Sequence, residues 1–337
     1  MQGRSPWYLA YRRLRRNRVA LAFGGLFVAI VVFTLAAPLW ADEVAHSGPN
    51  ATHTVEKVEV DGELREVVNP EGKPIGPLWL GAGGKFFLGA DGRLGRDEMV
   101  RLMYGGRTSL FIGVVAALIT VLLATALALL AGYYGGWLDG VIARALDVVW
   151  AFPVTLLGAA LGLALAVGGL GIGPLRISGE SIWIPILIIG VVYTPYVMRP
   201  LRGQVLALRK KEFVEAAISQ GAGPARVMFA ELLPNLLSTI IVFFAISIAN
   251  SMLLESMLSF LGVGVQPPNT SWGTMIAGGF ELVTSSPLLT VVPGAMLLLT
   301  VLAVNVFADG LRDALDPRAK LRLEAHAGNP EPEGTAV

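Results

Sequence analysis

Six long stretches of this 337-residue chain contain no charged residue. Their approximate bounds are 19–41, 108–138, 148–175, 181–198, 232–254 and 282–308. The second is most densely apolar over 110–130, and the fifth continues past Glu255 into another apolar run. About 20 consecutive apolar residues are enough for a helix to cross a bilayer. The runs are continuous rather than alternating, which argues against a membrane barrel. Pro153, Pro185, Pro195 and Pro293 fall inside them. In lipid such prolines are tolerated, because neighbouring helices satisfy the freed backbone groups. The expectation is an all-α membrane protein with six transmembrane helices. At 54% hydrophobic, 15% charged and a mean hydropathy of +0.64, the chain is far more apolar than a soluble domain.

The first run follows the basic stretch "RRLRRNR". A signal peptide would have an apolar core of roughly 7–15 residues and a small-residue cleavage site. This run is longer and no clean site follows, so an uncleaved first helix is expected. Arg12, Arg13, Arg15, Arg16 and Arg18 place the N-terminus in the cytoplasm by the positive-inside rule. Six spans then put both termini there. The segments assigned inside are 1–18, 133–147, 199–231 and the tail after 309. They hold 17 of the 26 Lys and Arg residues. Eight of the remaining nine lie in one long outer loop, and long loops translocate largely regardless of charge.

That loop, 42–107, is the one sizeable soluble piece. Partly alternating runs at 55–60 and 63–68 flank Asp61-Gly62, a strong hairpin signal. A lone hairpin is marginal, so it should lean on something else. It is either a decoration or an element facing an external partner. Further on, Met99, Leu102 and Met103 at helical spacing suggest a short interfacial helix before the second span.

Several chemistries are absent. With no cysteine, the chain has no disulfide, thiolate site or cysteine nucleophile. His46, His53 and His326 fall outside the apolar runs, so no metal site is expected. A phosphate-binding loop reads G-x-x-x-x-G-K-[ST]. The Gly-Lys pairs here, Gly72-Lys73 and Gly84-Lys85, have neither the earlier glycine nor the following Ser or Thr. Neither G-x-S-x-G nor H-E-x-x-H occurs. Glu255 is the one clear charge inside a span. A mid-membrane charge costs about 2.5–3.5 kcal/mol on insertion scales, so it usually faces a pore or a partner. Glu255 serves transport or makes a helix-end contact; the residues alone leave both open.

Between the fourth and fifth runs lies a polar stretch, "EFVEAAISQGAGPARVMFAELLP", at 212–234. Residues 212–220 are good helix formers, Gly221 offers a stop, and Pro224 suits the first turn of a new helix. Ala216 and Ala217 are small enough for another surface to approach, and Glu215 stands beside them. These residues describe either a short helix held by a partner or an interfacial amphipathic helix.

The segment "EAAISQGAGPARVMFAELLPN" resembles the EAA loop of ABC-importer permeases. Glu215, Ala216, Ala217 and Gly221 match the E-A-A-x-x-x-G core, and Leu233-Pro234 closes it. Five further segments resemble the C-type member of the dipeptide/oligopeptide/nickel permease pair. They are "RRNRVALAFG", "LGADGRLGRDEMVRLMYGGRTSLFIG", "LDVVWAFPVTLL", "ESMLSFLGVGVQPPNTSWGTMI" and "VNVFADGLRDALDPR". The second is one residue longer than the usual spacing and has Ala90 for Thr. Ala308 stands where Gly is usual before Asp309. The hairpin insert at about 50–76 is outside the shared pattern.

The resemblance implies a type I importer permease core over 108–310, an added first helix at 19–41 after a basic N-terminus at 1–18, and a disordered end to the tail at 311–337. It implies a bacterial inner-membrane location and a heterodimer with a homologous permease. It further implies two ABC ATPase subunits carrying the ATP and magnesium, an extracytoplasmic solute-binding protein, and no nucleic acid. Glu215, Ala216, Ala217, Gly221 and Pro234 are the expected ATPase-coupling residues, with Glu255 and Asp309 at a gate or interface. No cofactor, metal or catalytic residue is expected in this chain. Peptides lead as solute, with nickel, opines and oligosaccharides behind. A stand-alone secondary carrier or channel is the alternative class.

Overall fold

A computed structural model describes residues 6–60, 62–80, 83–92, 94–172 and 175–315. The chain opens with α1 (Pro6–Leu14) and α2 (Arg18–Leu35), the latter capped by the Asn17 side chain accepting from the Ala20 amide. A short α3 (Ala37–Trp40) and a π-helical turn over Ala41–Ala45 end at His46, which takes the left-handed conformation. Next come the loop segment with β1 (Lys57–Val60) and β2 (Glu63–Glu66), and then α4 (Glu98–Tyr134).

At about 1.5 Å per residue the 37 residues of α4 reach about 55 Å, well beyond a hydrocarbon core of about 30 Å. The expected separate interfacial helix near residue 99 is therefore the first turns of α4 itself. No proline separates it from the apolar run, and Gly105-Gly106 serve close packing instead of a break. A Cβ on Gly106 would stand 2.4 Å from Thr34 and 2.7 Å from the Trp272 ring.

The third apolar run departs most from expectation. Its first part and the predicted turn at 133–147 form α5 (Gly136–Trp150). The chain then bends by 85° into α6 (Val154–Gly168). Pro153 sits at the bend with extended ψ and no N–H to continue the helix. The remainder pairs as a second hairpin, β3 (Leu170–Ile172) with β4 (Leu175–Ile177). α7 (Trp183–Val192) and α8 (Thr194–Leu208) make the next span, which runs ten residues beyond the expected limit.

α9 (Glu212–Ser219), α10 (Pro224–Arg226), a π-helical stretch Val227–Leu232 and α11 (Leu233–Phe260) follow. Then come α12 (Trp272–Phe280), between the expected fifth and sixth spans, and α13 (Leu288–Leu315). Five helical segments are long and apolar enough to cross a membrane, or six if the bent α5–α6 pair counts as one span. The expected all-α membrane class holds, with two small hairpins attached.

α4 is the central post. One face packs with α2, α11, α12 and α13 around Ile30, Leu110, Met252, Trp272, Leu297 and Val304. A second core joins it to α7 and α11, and a third to α5 and α8. Thr34 at the end of α2 meets the start of α4, whereas Gly132 near the end of α4 meets Val205 on α8. The start of α2 lies against Gly310 on α13. α1, the start of α2, the 209–232 segment and the end of α13 therefore share one end of the bundle. The hairpin loop and α12 share the other.

The expected hairpin forms over the shorter strands Lys57–Val60 and Glu63–Glu66, with Val60 opposite Glu63; Asp61 of its turn lies outside the described residues. It leans on a small apolar cluster of Val67, Phe86 and Ala90, with Val58, Val68 and Ile75 packed against it. The end of the tail, expected to be disordered, also lies outside the described residues.

Candidate functional site

The polar stretch folds as a helix, a glycine stop and a return. α9 carries Glu212 and Glu215 in its first turn, where the N-terminal dipole favours acids. It ends in a Schellman arrangement. The Ala222 amide donates to the Ala217 carbonyl at 3.0 Å and the Gly221 amide donates to Ile218 at 2.9 Å. Gly221 sits at φ +86, and a Cβ there would meet nothing within 4 Å. Its requirement is conformational, not steric. Gly223 and Pro224 then open the return, with proline in the first turn where no N–H is needed.

The π-helical stretch at Val227–Leu232 precedes Pro234. Proline removes one amide from the ladder, and the widened turns absorb that loss before α11 resumes. The Asn235 side-chain amide donates to the Glu231 carbonyl at 2.7 Å, capping one of the freed acceptors.

Only Val214 of α9 is buried. It packs with Leu129, Val205, Val227, Leu232 and Leu236. Glu215, Ala216 and Gly221 are exposed, Ala217 is half-buried, and Pro234 is exposed on the start of α11. Phe213 is 38% and Ile218 49% exposed, with Phe229 at 63% on the returning segment. The surface is thus small and partly apolar, with Glu212 and Glu215 at its start.

α8, which leads into this segment, is pinned sideways by two arginines. Arg202 makes a bidentate pair with Asp139, and Arg199 bonds Asp147 at 2.8 Å while lying 4.7 Å over the Trp150 ring. Both acids are on α5. The sequence reading missed these pairs, because the partners are 52 and 63 residues apart.

Glu255 and Asp309 are not brought together. Asp309 is exposed near the end of α13, at the α9 end of the bundle, and makes no ion pair among the described residues. Glu255 is fully buried at the opposite end. Its carboxyl accepts from Ser109 at 3.0 Å, Ser259 at 2.7 Å and Ser256 at 3.4 Å. The Trp272 amide donates to Ser109 Oγ and the Val265 amide donates to Ser259 Oγ. One carboxyl so ties α4, α11, α12 and the 261–271 connection together. The serines were present in the quoted motifs, but nothing in sequence joins Ser109 to Glu255, 146 residues on.

Asp97 organises the hairpin end. It caps α4 by accepting from the Val100 amide at 3.0 Å, and its other oxygen accepts from the Phe86 amide at 2.6 Å. Burial pushes this carboxyl up from the ordinary range, against the amide bonds that favour its charge. Nearby, His53 bridges Ser47 Oγ (2.9 Å) and Glu56 (2.5 Å), and Lys85 takes the other Glu56 oxygen at 2.5 Å. This serine–histidine–acid chain has the composition of a hydrolytic triad. However, Ser47 is only 7% exposed, and Lys85 competes for the acid. It reads as a clamp on the loop. Among the described residues no cluster of His, Asp or Glu could hold a metal ion.

The sequence that builds this segment and the helices feeding it matches a known family. Residues 124–321 match the family model described as "Binding-protein-dependent transport system inner membrane component". The chain belongs to this family of transport permeases. Residues 5–53 also match the N-terminal transmembrane domain of oligopeptide transport permease C. Among its relatives is the glutathione transport system permease protein GsiD of Pectobacterium atrosepticum, 34% identical over 94% of this chain and 93% of that protein. The dipeptide transport system permease protein DppC of Alkalihalophilus pseudofirmus is 32% identical, covering 94% and 91%. The oligopeptide transport system permease protein OppC of Haemophilus influenzae is 32% identical, covering 94% and 90%. This permease is therefore a multi-pass component of a transport system, and its relatives are permease components.

Proposed function

We propose that this permease is the C-type half of an ATP-driven importer, and that α9 is the handle by which a separate ATPase moves it. The observation that carries the reading is the mounting of α9. One buried valine holds it, a glycine stop ends it, and its remaining surface faces outward. A homologous permease supplies the other half of the path, two ATPase subunits carry the ATP and magnesium, and an external binding protein delivers the solute. Peptides or a glutathione-like thiol peptide are the solutes favoured by the names of the relatives. Both termini and α9 lie on the cytoplasmic side of a bacterial inner membrane in this reading, as the Arg-rich N-terminus supports.

ATP binding in the partner closes the ATPases and pulls α9. Transport then needs two packings of the helices whose balance ATP shifts. The Arg–Asp pairs make α8 and α5 move as one piece, and the Glu255 node holds the opposite end together as an outer gate element. Asp309 sits where a subunit interface forms.

In the assembled system in membranes, Glu215→Lys leaves insertion and abundance unchanged. It lowers solute-stimulated ATP hydrolysis by about tenfold or more, the scale of placing a repulsive charge in a docked contact. Normal stimulation in this variant defeats the coupling role. Solute accumulation by this chain reconstituted alone defeats the importer reading in favour of a carrier.

A further inference from the structure

A cavity of about 290 Å³ opens at the hairpin end, between the loop that enters α4 and the end of α12. Its volume is roughly that of ten water molecules. Met275, Leu282 and Leu289 form an apolar wall, and Asp91, Arg96, Glu98 and Arg101 form a charged one.

Most of the charged wall is already paired. Asp91 accepts from the Arg96 backbone amide at 2.8 Å and from Arg96 Nε at 2.7 Å. Arg101 turns its Nε toward the same carboxylate at 3.4 Å and donates through Nη1 to the Pro49 carbonyl at 3.3 Å. Glu98 is 3% exposed and has no hydrogen bond or ion pair to its carboxyl among the described residues. Arg101 Nε is among the sealed polar atoms without a hydrogen bond, but the Glu98 oxygens are not, so they are reached from the cavity.

A buried carboxyl left unmatched is costly, and a charge is buried stably only when paired. Asp91, Glu98 and Glu281 line the cavity beside Arg96 and Arg101; burial pushes the Glu98 carboxyl up to about 8 against the pull of Arg101, and a bound cation is what would restore its charge. An anion would stand among three carboxyl groups there. A cation with N–H donors meets Glu98, and an alkyl stem behind it meets the leucines and Met275.

We propose that this cavity is a binding site for the ammonium or guanidinium end of a small alkyl solute, with Glu98 as its counter-ion. The site needs only the cavity and not the importer reading, so either can fail alone.

The test uses the full chain, isolated in nanodiscs with the subunits that accompany it, and isothermal titration with n-butylammonium. Saturable binding at one site per chain is expected. n-Butyltrimethylammonium, which has the charge but no N–H, and n-butyrate are expected not to bind. Glu98→Gln weakens n-butylammonium by about tenfold or more, the scale of one lost charge-assisted hydrogen bond. Glu281→Gln, at the exposed rim, changes it by about twofold or less. Absence of saturable n-butylammonium binding overturns the proposal, as does equal binding of the trimethyl compound or undiminished binding by Glu98→Gln. If Glu98→Gln does not assemble, the comparison of primary and trimethyl ammonium on the unaltered chain decides the matter.

Discussion

The two ends of the bundle are built on opposite plans. At the hairpin end, carboxyls bind several elements at once: Asp97 joins α4 to Phe86, Asp91 gathers two arginines, and Glu255 collects serines from α4 and α11. At the other end α9 is attached by one valine side chain and a turn. A carboxyl bonded to several elements at once holds them in one low-energy arrangement. A single apolar contact under a short helix is cheap to shift. The difference teaches where this permease can move without unfolding. In the proposed coupling the α9 end travels, and the opposite end responds as a unit through α4.

Breaking the stiff end should have the largest effect. Asp97→Ala removes the cap of α4 and strands the buried Phe86 amide. A loss of about 3 kcal/mol is expected from a cap together with an unsatisfied donor. A lower melting temperature in nanodiscs, with only partial recovery in Asp97→Asn, which keeps one of the two acceptors, checks it; an unchanged melt contradicts the stiff-end picture. At the loose end, Val214→Ala deletes two buried carbons and should cost about 2 kcal/mol. The loss should be local, with hydrogen exchange faster over 212–222 while α4 is unaffected. Uniform loosening of the bundle would erase the contrast between the ends.

Gly221→Ala should cost about 1 kcal/mol, since only the left-handed φ resists a Cβ there. Fraying of the last turn of α9, seen as loss of protection at the Ala222 amide, is the readout. The smallest effect is a pH response. Burial of Glu56 works against its charge, yet Lys85 and His53 outweigh it and hold the carboxyl below the ordinary range. A depressed carboxyl stabilises the fold above its ordinary titration range and loses that contribution as pH falls through the lowered value. The Val67 amide, which donates to the Glu56 carbonyl, should therefore lose protection on acidification in the unaltered chain. The same acidification should change little in Glu56→Gln; equal loss in both would remove the clamp from the stiff end.

Length and charge-free runs were enough to declare a membrane helix bundle, because each backbone group in lipid must be satisfied within its own helix. The first hairpin and the α9 stop were also legible, since Asp61-Gly62 and Gly221 act within a few residues of themselves. Uniformly apolar runs, however, carry little signal about which face turns inward. The 85° bend at Pro153, the second hairpin and the helix at Trp272–Phe280 were accordingly missed. The Glu255–serine node, the Arg202–Asp139 pair and the unmatched Glu98 carboxyl belong to tertiary structure alone. Each depends on which side chains arrive from distant parts of the chain, and that is decided by packing around α4 rather than by any local pattern.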